Sequence, residues 1–249
     1  MTGCSSSPAF VNSNGAEYEN YEKPSVENAR IGVMIGSTNE EYVKMHYPHA
    51  KVERFNNYVE SAAALLDNTI DYAMMDYTSA LGITRHNPEL EIVSDFLTDE
   101  MLSLGTNKNN PELAEQVFGI VSRYLEDGTM DEIISHWILE DGSDYEEINT
   151  PKHEDAPVLR VAIISSREPT TFVLNNKYAG LDIELIDRIA YELGYRVEYL
   201  DMDLADVLEA MGSERMDMSL GMYATPEREE HILFSPPYFA NPQVIISQK

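Results

Sequence analysis

A chain of 249 residues with 43% hydrophobic content is long enough to bury a substantial core, as one large domain or two smaller lobes. Seventeen basic residues against 44 acidic ones give a formal net charge of -27, which excludes a phosphate-neutralising face and with it nucleic acid as a partner. No apolar run approaches the length of a bilayer-spanning helix.

The single cysteine, Cys4 in MTGCSSS, excludes an internal disulfide and a cysteine-type zinc site. Its setting, ahead of a polar stretch to about Asn28, has two readings: a mature lipoprotein start with a lipid anchor at Cys4, or a leader with an incidental cysteine. From Arg30 onward, short β-rich runs alternate with amphipathic helices. Ile31 to Ile35 reads as a buried strand, and GSTNEEY as a tight loop entering a helix. Ser37 or Thr38 caps that helix, with Glu40 or Glu41 completing a capping box. Lys51 to Phe55 is a second strand, followed by a helix around VESAAALLDN. Ile70 to Met75 is a third, ending at Asp76; a helix through Ala80 and Ile83 and a strand near EIVSDF come next. Strands separated by single helices predict parallel pairing and a doubly wound α/β lobe.

In NNPELAEQVFGIVSRYLEDGTMDEIISHWIL, Leu113, Val117, Ile120, Val121 and Tyr124 recur at helical spacing. With Asn110 as N-cap, Pro111 at the first helical position and Gly128 as a stop, two consecutive helices are predicted. The acid-rich segment 140–156, with Gly142, Pro151 and no apolar periodicity, predicts a solvated, extended linker. Beyond it the rhythm resumes. Leu159 to Ile164 is a strand, and Leu185, Ile186, Ile189, Ala190 and Leu193 form a helix face stopped by Gly194. YRVEYL alternates as a strand, Val207, Leu208 and Met211 sit on a helix stopped by Gly212, and Met216 to Leu220 is a strand. AAALLDNTIDYAMMDYTSA and VLEAMGSERMDMSLGMYAT echo each other as helix, turn, strand and loop. Two lobes built alike follow, each with a loop at the C-terminal end of an equivalent strand, where open α/β sheets bind ligands. The expected limits are a leader over 1–27, one lobe with Asp76 over 28–98, closing helices that pack on the Arg228 lobe over 99–139, the linker over 140–156 and the Arg228 lobe over 157–249.

Three places carry candidate chemistry. Arg228 follows Thr225, Pro226 and Glu227, an N-cap and N1 pair, and so projects from the first turn of a predicted helix, where a guanidinium and free N–H groups suit a carboxylate. The competing reading pairs it with Glu227, Glu229 or Glu230. Asp76 ends an apolar strand, where a carboxylate is costly unless it faces a cleft or a cation; it serves equally as N-cap of the next helix. The loop Gly36, Ser37, Thr38 suits an anion or is ordinary capping. No P-loop, G-x-G-x-x-G, G-x-S-x-G or H-E-x-x-H occurs, and His46 and His49 in HYPH read as surface residues.

The stretch from Leu159 to Lys249, with GLDIELIDRIAYELG, MDMSLGMYATPERE and FSPPYF, closely resembles the first lobe of the family 3 extracellular solute-binding proteins, the amino-acid receptors of bacterial ABC importers. Arg30 to Ile138, with IGVMIGSTNEEY, IDYAMMDYTSA and LEDGTMDEIISHWI, resembles the second lobe and closing helices of the same family. The order is reversed relative to the family, which implies a circular permutation, or else a fragment of a tandem array whose halves pair between chains. The resemblance implies a two-lobed type II periplasmic-binding-protein fold with a hinge, no cofactor, and a free, polar amino acid such as glutamine or glutamate as ligand. It also implies ABC importer membrane subunits as partners and a location in the periplasm or cell envelope. By position it assigns Arg228 to the ligand α-carboxylate, the N–H groups near Ser37 and Thr38 to the same group, and Asp76 with the Gly221 carbonyl to the α-ammonium. Tyr223 stands where a serine or threonine is common. Arg167 and Leu204 hold places often aromatic in the family, with Gly36 and Met34 alongside; Arg167 either selects an acidic or amide side chain or reaches solvent. A sensor domain reporting ligand occupancy, and a dehydratase-like enzyme using Glu168 or Asp76, are the alternatives.

Overall fold

The computed structural model describes residues 26, 28–139, 144–213 and 215–249. Cys4, the leader and the first residues of the acid-rich segment lie outside the described residues. In chain order the elements are β1 (Arg30–Met34), α1 (Thr38–His46), β2 (Lys51–Phe55), α2 (Tyr58–Leu66), β3 (Tyr72–Asp76), α3 (Tyr77–His86), β4 (Leu90–Ile92), β5 (Met101–Asn107), α4 (Pro111–Asp127) and α5 (Thr129–Trp137). After the acid-rich segment come β6 (Val158–Ile163), β7 (Phe172–Leu174), β8 (Lys177–Ala179), α6 (Leu181–Leu193), β9 (Arg196–Asp201), α7 (Leu204–Met211), β10 (Met218–Tyr223), β11 (Ile232–Phe234), β12 (Phe239–Ala240) and β13 (Gln243–Gln248).

The helices begin where side chains satisfy their free N–H groups. Ser37 accepts from Glu40 N–H, Asn57 from Glu60, Asp76 from Ser79 and Asn110 from Leu113. Helix α4 runs as its sequence predicts, from Pro111 at its first turn to Gly128, whose φ of 85° ends it in the left-handed conformation that favours glycine.

Two mixed sheets form two lobes. In the first, β1 pairs in parallel with β2 and β3, and the order is β2-β1-β3-β13-β4. In the second, β6 pairs in parallel with β9 and β10, and the order is β11-β5-β10-β6-β9, with β12 also on β5.

Two strands depart from the sequence reading. Strand β5, within the stretch read as closing helices on the Arg228 lobe, is a strand of that lobe's own sheet, antiparallel to β10. Strand β13, within the stretch read wholly as the second lobe, crosses back and lies antiparallel to β3 and β4 in the first. The chain thus passes between lobes twice, near 93–100 and near 241–242. The two passages are bonded together, Leu97 N–H to Gln243 O at 2.9 Å and Asn241 N–H to Glu100 O at 2.9 Å.

Residues 144–156 of the acid-rich segment depart from expectation more sharply, because they are docked at several side chains although most of them stay exposed. The Tyr145 ring lies 4.9 Å from that of Phe172 and 5.9 Å from that of Trp137. Lys152 pairs with the buried Asp187 of α6 at 2.9 Å, and His153 stacks on Tyr191 at 4.7 Å. These ring and charge contacts, with Glu147 paired to Lys177 and Arg85 lying over the Tyr145 ring at 4.7 Å, hold the acidic strap in place.

Candidate functional site

The C-terminal ends of β3 and β10 face each other between the lobes. Around them a cavity of about 20 Å³ is lined by residues including Met34, Ser37, Thr38, Asp76, Arg167, Leu204, Tyr223 and Arg228. It has room for about one water molecule, so the lobes are closed on one another.

Arg228 is 8% exposed. Its Nη1 donates to Tyr223 O at 2.9 Å within its own lobe, and its Nη2 donates across the cleft to Gly36 O at 3.1 Å. Among the described residues it has no carboxylate partner, so the pairing with Glu227, Glu229 or Glu230 is not what the chain adopts. Nor does Arg228 open an α-helix. Residues Arg228–Glu230 form a single 3-10 turn, with Thr225 Oγ1 accepting from Arg228 N–H at 3.3 Å. Burial, with the charge of Arg167 adding to it, pushes its guanidinium down from its ordinary value, although the charges of Glu100 and Glu41 oppose this.

Asp76, 1% exposed, does both things weighed for it. It caps α3 by accepting from Ser79 N–H at 2.9 Å and from Thr78 Oγ1 at 3.1 Å, and it faces a cation, Arg167, at 3.3 Å. Burial works to raise its carboxyl, but the charge of Arg167 and the donors of Ser79 and Thr78 outweigh burial and hold it below its ordinary value.

Arg167 does not reach solvent and lines the cavity. It is 5% exposed, with Nη1 donating to Gly221 O at 3.0 Å and Nη2 to Asp76 at 3.3 Å. These are the two acceptors that the family resemblance reserves for a ligand ammonium.

Gly221 has a structural reason to be glycine. A Cβ there would overlap the Tyr238 hydroxyl and stand 2.9 Å from Asp182. Asp182, fully buried, accepts from Tyr238 OH at 2.5 Å and from Gly221 N–H at 3.2 Å, and burial pushes its carboxyl up despite nearby Arg167.

On the opposite wall, Gly36 adopts φ 74° and sends its N–H to Glu40 at 3.1 Å. The expected capping box therefore closes one residue earlier than its usual form. The N–H of Ser37 already donates to Met34 O at 3.2 Å and is committed within its own turn. Thr38 Oγ1 is buried without a partner. Tyr223 turns its hydroxyl to Asn241 O at 2.8 Å, joining the site to the hinge. His46 and His49 are exposed.

Sequence reasoning overlooked Tyr58, Asp182, Tyr238 and Asn241. Tyr58 lines the cavity and accepts from Asn39 at 2.9 Å. Asn241 accepts from Thr78 N–H at 3.1 Å. Asp182 carried a signal, an acid inside the apolar run GLDIEL; Asn241 carried none.

Comparison with known proteins agrees with the resemblance. Residues 159–249 match the family described as bacterial extracellular solute-binding proteins, family 3. A segment of 83 residues is 34% identical to the arginine-binding extracellular protein ArtP of Bacillus subtilis, covering 33% of this chain and 32% of that one. Another of 92 residues is 27% identical to a probable histidine-binding protein of Campylobacter jejuni, covering 36% of each chain. The chain thus spans about a third of the length of these relatives, which are named as binding proteins and not as enzymes. Among solved structures, the ligand-binding component of an ABC-type import system from Staphylococcus aureus aligns over 88% of this chain and 65% of that one, at 13% identity and a TM-score of 0.48.

Proposed function

We propose that this chain, whose residues 159–249 are of the family 3 solute-binding type, is a binding protein that captures a small carboxylate-bearing solute of the amino-acid class by closing two lobes on it. The observation that supports this best is Arg228. It is a nearly buried guanidinium between the lobes, held by two carbonyl oxygens, one from each wall, with no carboxylate bonded to it among the described residues. A ligand carboxylate would supply a bonded counter-charge at the point where the two walls meet. The arginine- and histidine-binding relatives support the amino-acid class.

The narrower expectation of glutamine or glutamate is not part of the proposal, because the relatives are named as arginine- and histidine-binding proteins. Delivery to ABC importer subunits outside the cytoplasm belongs to the same proposal, as does a permuted order of lobes. In support of permutation, the family match covers 159–249, while 28–98 supplies the sheet that β13 completes.

The test is the melting temperature of the purified chain against the twenty amino acids and a panel of simple carboxylates, since a ligand of the folded state raises it. A rise with a small set of carboxylates is expected. No rise with any of them would remove the proposal.

A further inference from the structure

Arg228 lines two spaces between the lobes. One is the cavity of about 20 Å³ described above, where opposite charges are already matched, Asp76 against Arg167 at 3.3 Å. The other is larger, about 290 Å³, near the lower bound of about 300 Å³ for small-molecule pockets. Thr38 and Glu41 of the first lobe form one wall of it, and Leu208, Glu227 and Arg228 of the second lobe belong to the other. Thr38, whose Oγ1 is buried without a partner, is likewise common to both spaces.

The charges of the larger space are not matched. Glu41 on α1 and Glu227 just before the 3-10 turn are both exposed, and neither has an ion pair among the described residues. Glu40, beside Glu41 in the chain, shows the contrast: it is buried and paired with Lys44 at 2.6 Å and Arg54 at 3.0 Å. Two carboxylates therefore stand against the one guanidinium of Arg228, and the remaining titratable group on the walls is the exposed His231. A solute with one carboxylate and one cationic group leaves one of the two acids unanswered. A solute with one carboxylate and two cationic groups matches all three.

The walls also suit the stem that joins such groups. Leu208 and Ile232 line the same space, and Leu208 reaches across it, its Cδ1 lying 3.9 Å from where a Cβ on Gly36 would stand. A long aliphatic stem packs on carbon of this kind while its charged head stays near water beside the acids.

We infer that the solute is a basic amino acid, with its α-carboxylate on Arg228 and its two cationic groups answered by Glu41 and Glu227, one from each lobe. These two acids are then the residues that select a basic side chain. The inference rests on the reading of Arg228 as the carboxylate partner.

The experiment is calorimetric titration with pairs that differ in the charge of the side chain, L-arginine against L-citrulline and L-lysine against L-norleucine, with L-glutamate and L-leucine as acidic and apolar members. It is run on the unaltered chain, on Glu41→Gln, on Glu227→Gln and on the double variant; circular dichroism checks each fold. The unaltered chain is expected to bind at least one basic member about tenfold or more tightly than its neutral counterpart, and that preference is expected to fall by about tenfold in the double variant. Binding of the neutral, acidic or apolar members as tight as that of the basic ones overturns this inference alone and leaves the Arg228 reading standing. An unchanged preference in a folded double variant overturns the assignment to Glu41 and Glu227. Absence of binding for every member, in unaltered and variant chains alike, overturns both this inference and the Arg228 reading. If the double variant does not fold, the single variants and the preference of the unaltered chain decide the matter.

Discussion

The backbone carbonyl of Glu168 lies so close to Gly82 that a Cβ built on the glycine would stand 2.7 Å from the oxygen. Gly82 is on α3 of the first lobe and Glu168 on the loop after β6 of the second, so the missing side chain lets the lobes meet. The Glu168 carboxylate then reaches His86 on the same helix at 2.9 Å.

Gly82→Val is therefore expected to hold the lobes apart while leaving each lobe folded. Small-angle scattering should give a larger radius of gyration than for the unaltered chain, with little change in far-ultraviolet circular dichroism. An unchanged radius would mean that the contact does not govern closure. Glu168→Gln should have a smaller effect, because it removes only the partly exposed ion pairs with His86 and Arg85, each worth about 1 kcal/mol or less, and no bulk is added.

Gly221→Ala forces a methyl group onto the Tyr238 hydroxyl and toward Asp182, and overpacking of this kind costs about 1–3 kcal/mol. Denaturant unfolding should register that loss. Adding Tyr238→Phe, which removes the obstructing oxygen, should return part of it, so the two substitutions should be non-additive.

Asp76→Asn keeps an oxygen to cap α3 but leaves Arg167 buried without its counter-charge, a change that costs about 3–5 kcal/mol at neutral pH. The Asp76 carboxyl is held below its ordinary value in the folded chain, although burial opposes this, because Arg167, Ser79 and Thr78 favour the charged form. Its contribution to stability is therefore present above the ordinary carboxyl range and is lost as pH falls through the lower folded value. The stability gap between the unaltered chain and Asp76→Asn should be constant near neutrality and should narrow below about pH 4. A gap independent of pH down to acid unfolding would show that the Arg167 pair is not what holds the carboxylate charged.

Tyr145→Ala removes the ring that packs on Phe172 and Trp137. Limited proteolysis should then cut within 144–156 faster than in the unaltered chain, while the melting temperature changes little. Equal cutting rates would mean that the strap is held by its charges, among them Lys152 on Asp187.

Much of this fold is written in local signals. Asn110, Pro111 and Gly128 delimit α4, and Ser37 and Asp76 cap their helices, because caps depend on residues three apart. Strands β5 and β13 were hidden for a different reason. Six of the seven residues of β5 are buried, so it lacks the alternation that marks a half-exposed strand, and which sheet β13 joins is decided by residues more than a hundred positions away. The docking of residues 144–156 rests on a few side chains, Tyr145 and Lys152 among them, within an acid-rich run that reads as solvated. At the site, Arg228 and Asp76 stood out because each is a charge at the end of an apolar run. The target of Arg167 was not legible, since Asp76 is 91 residues distant and belongs to the other lobe.

The central claim is that Arg228 receives a ligand carboxylate between the lobes, and calorimetric titration of Arg228→Ala with the carboxylate that most raises the melting temperature of the unaltered chain tests it most directly. Loss of about 1.5–3 kcal/mol of binding energy or more, the weight of a charged hydrogen bond, is expected in a variant whose fold is intact. Affinity equal to that of the unaltered chain would contradict the claim.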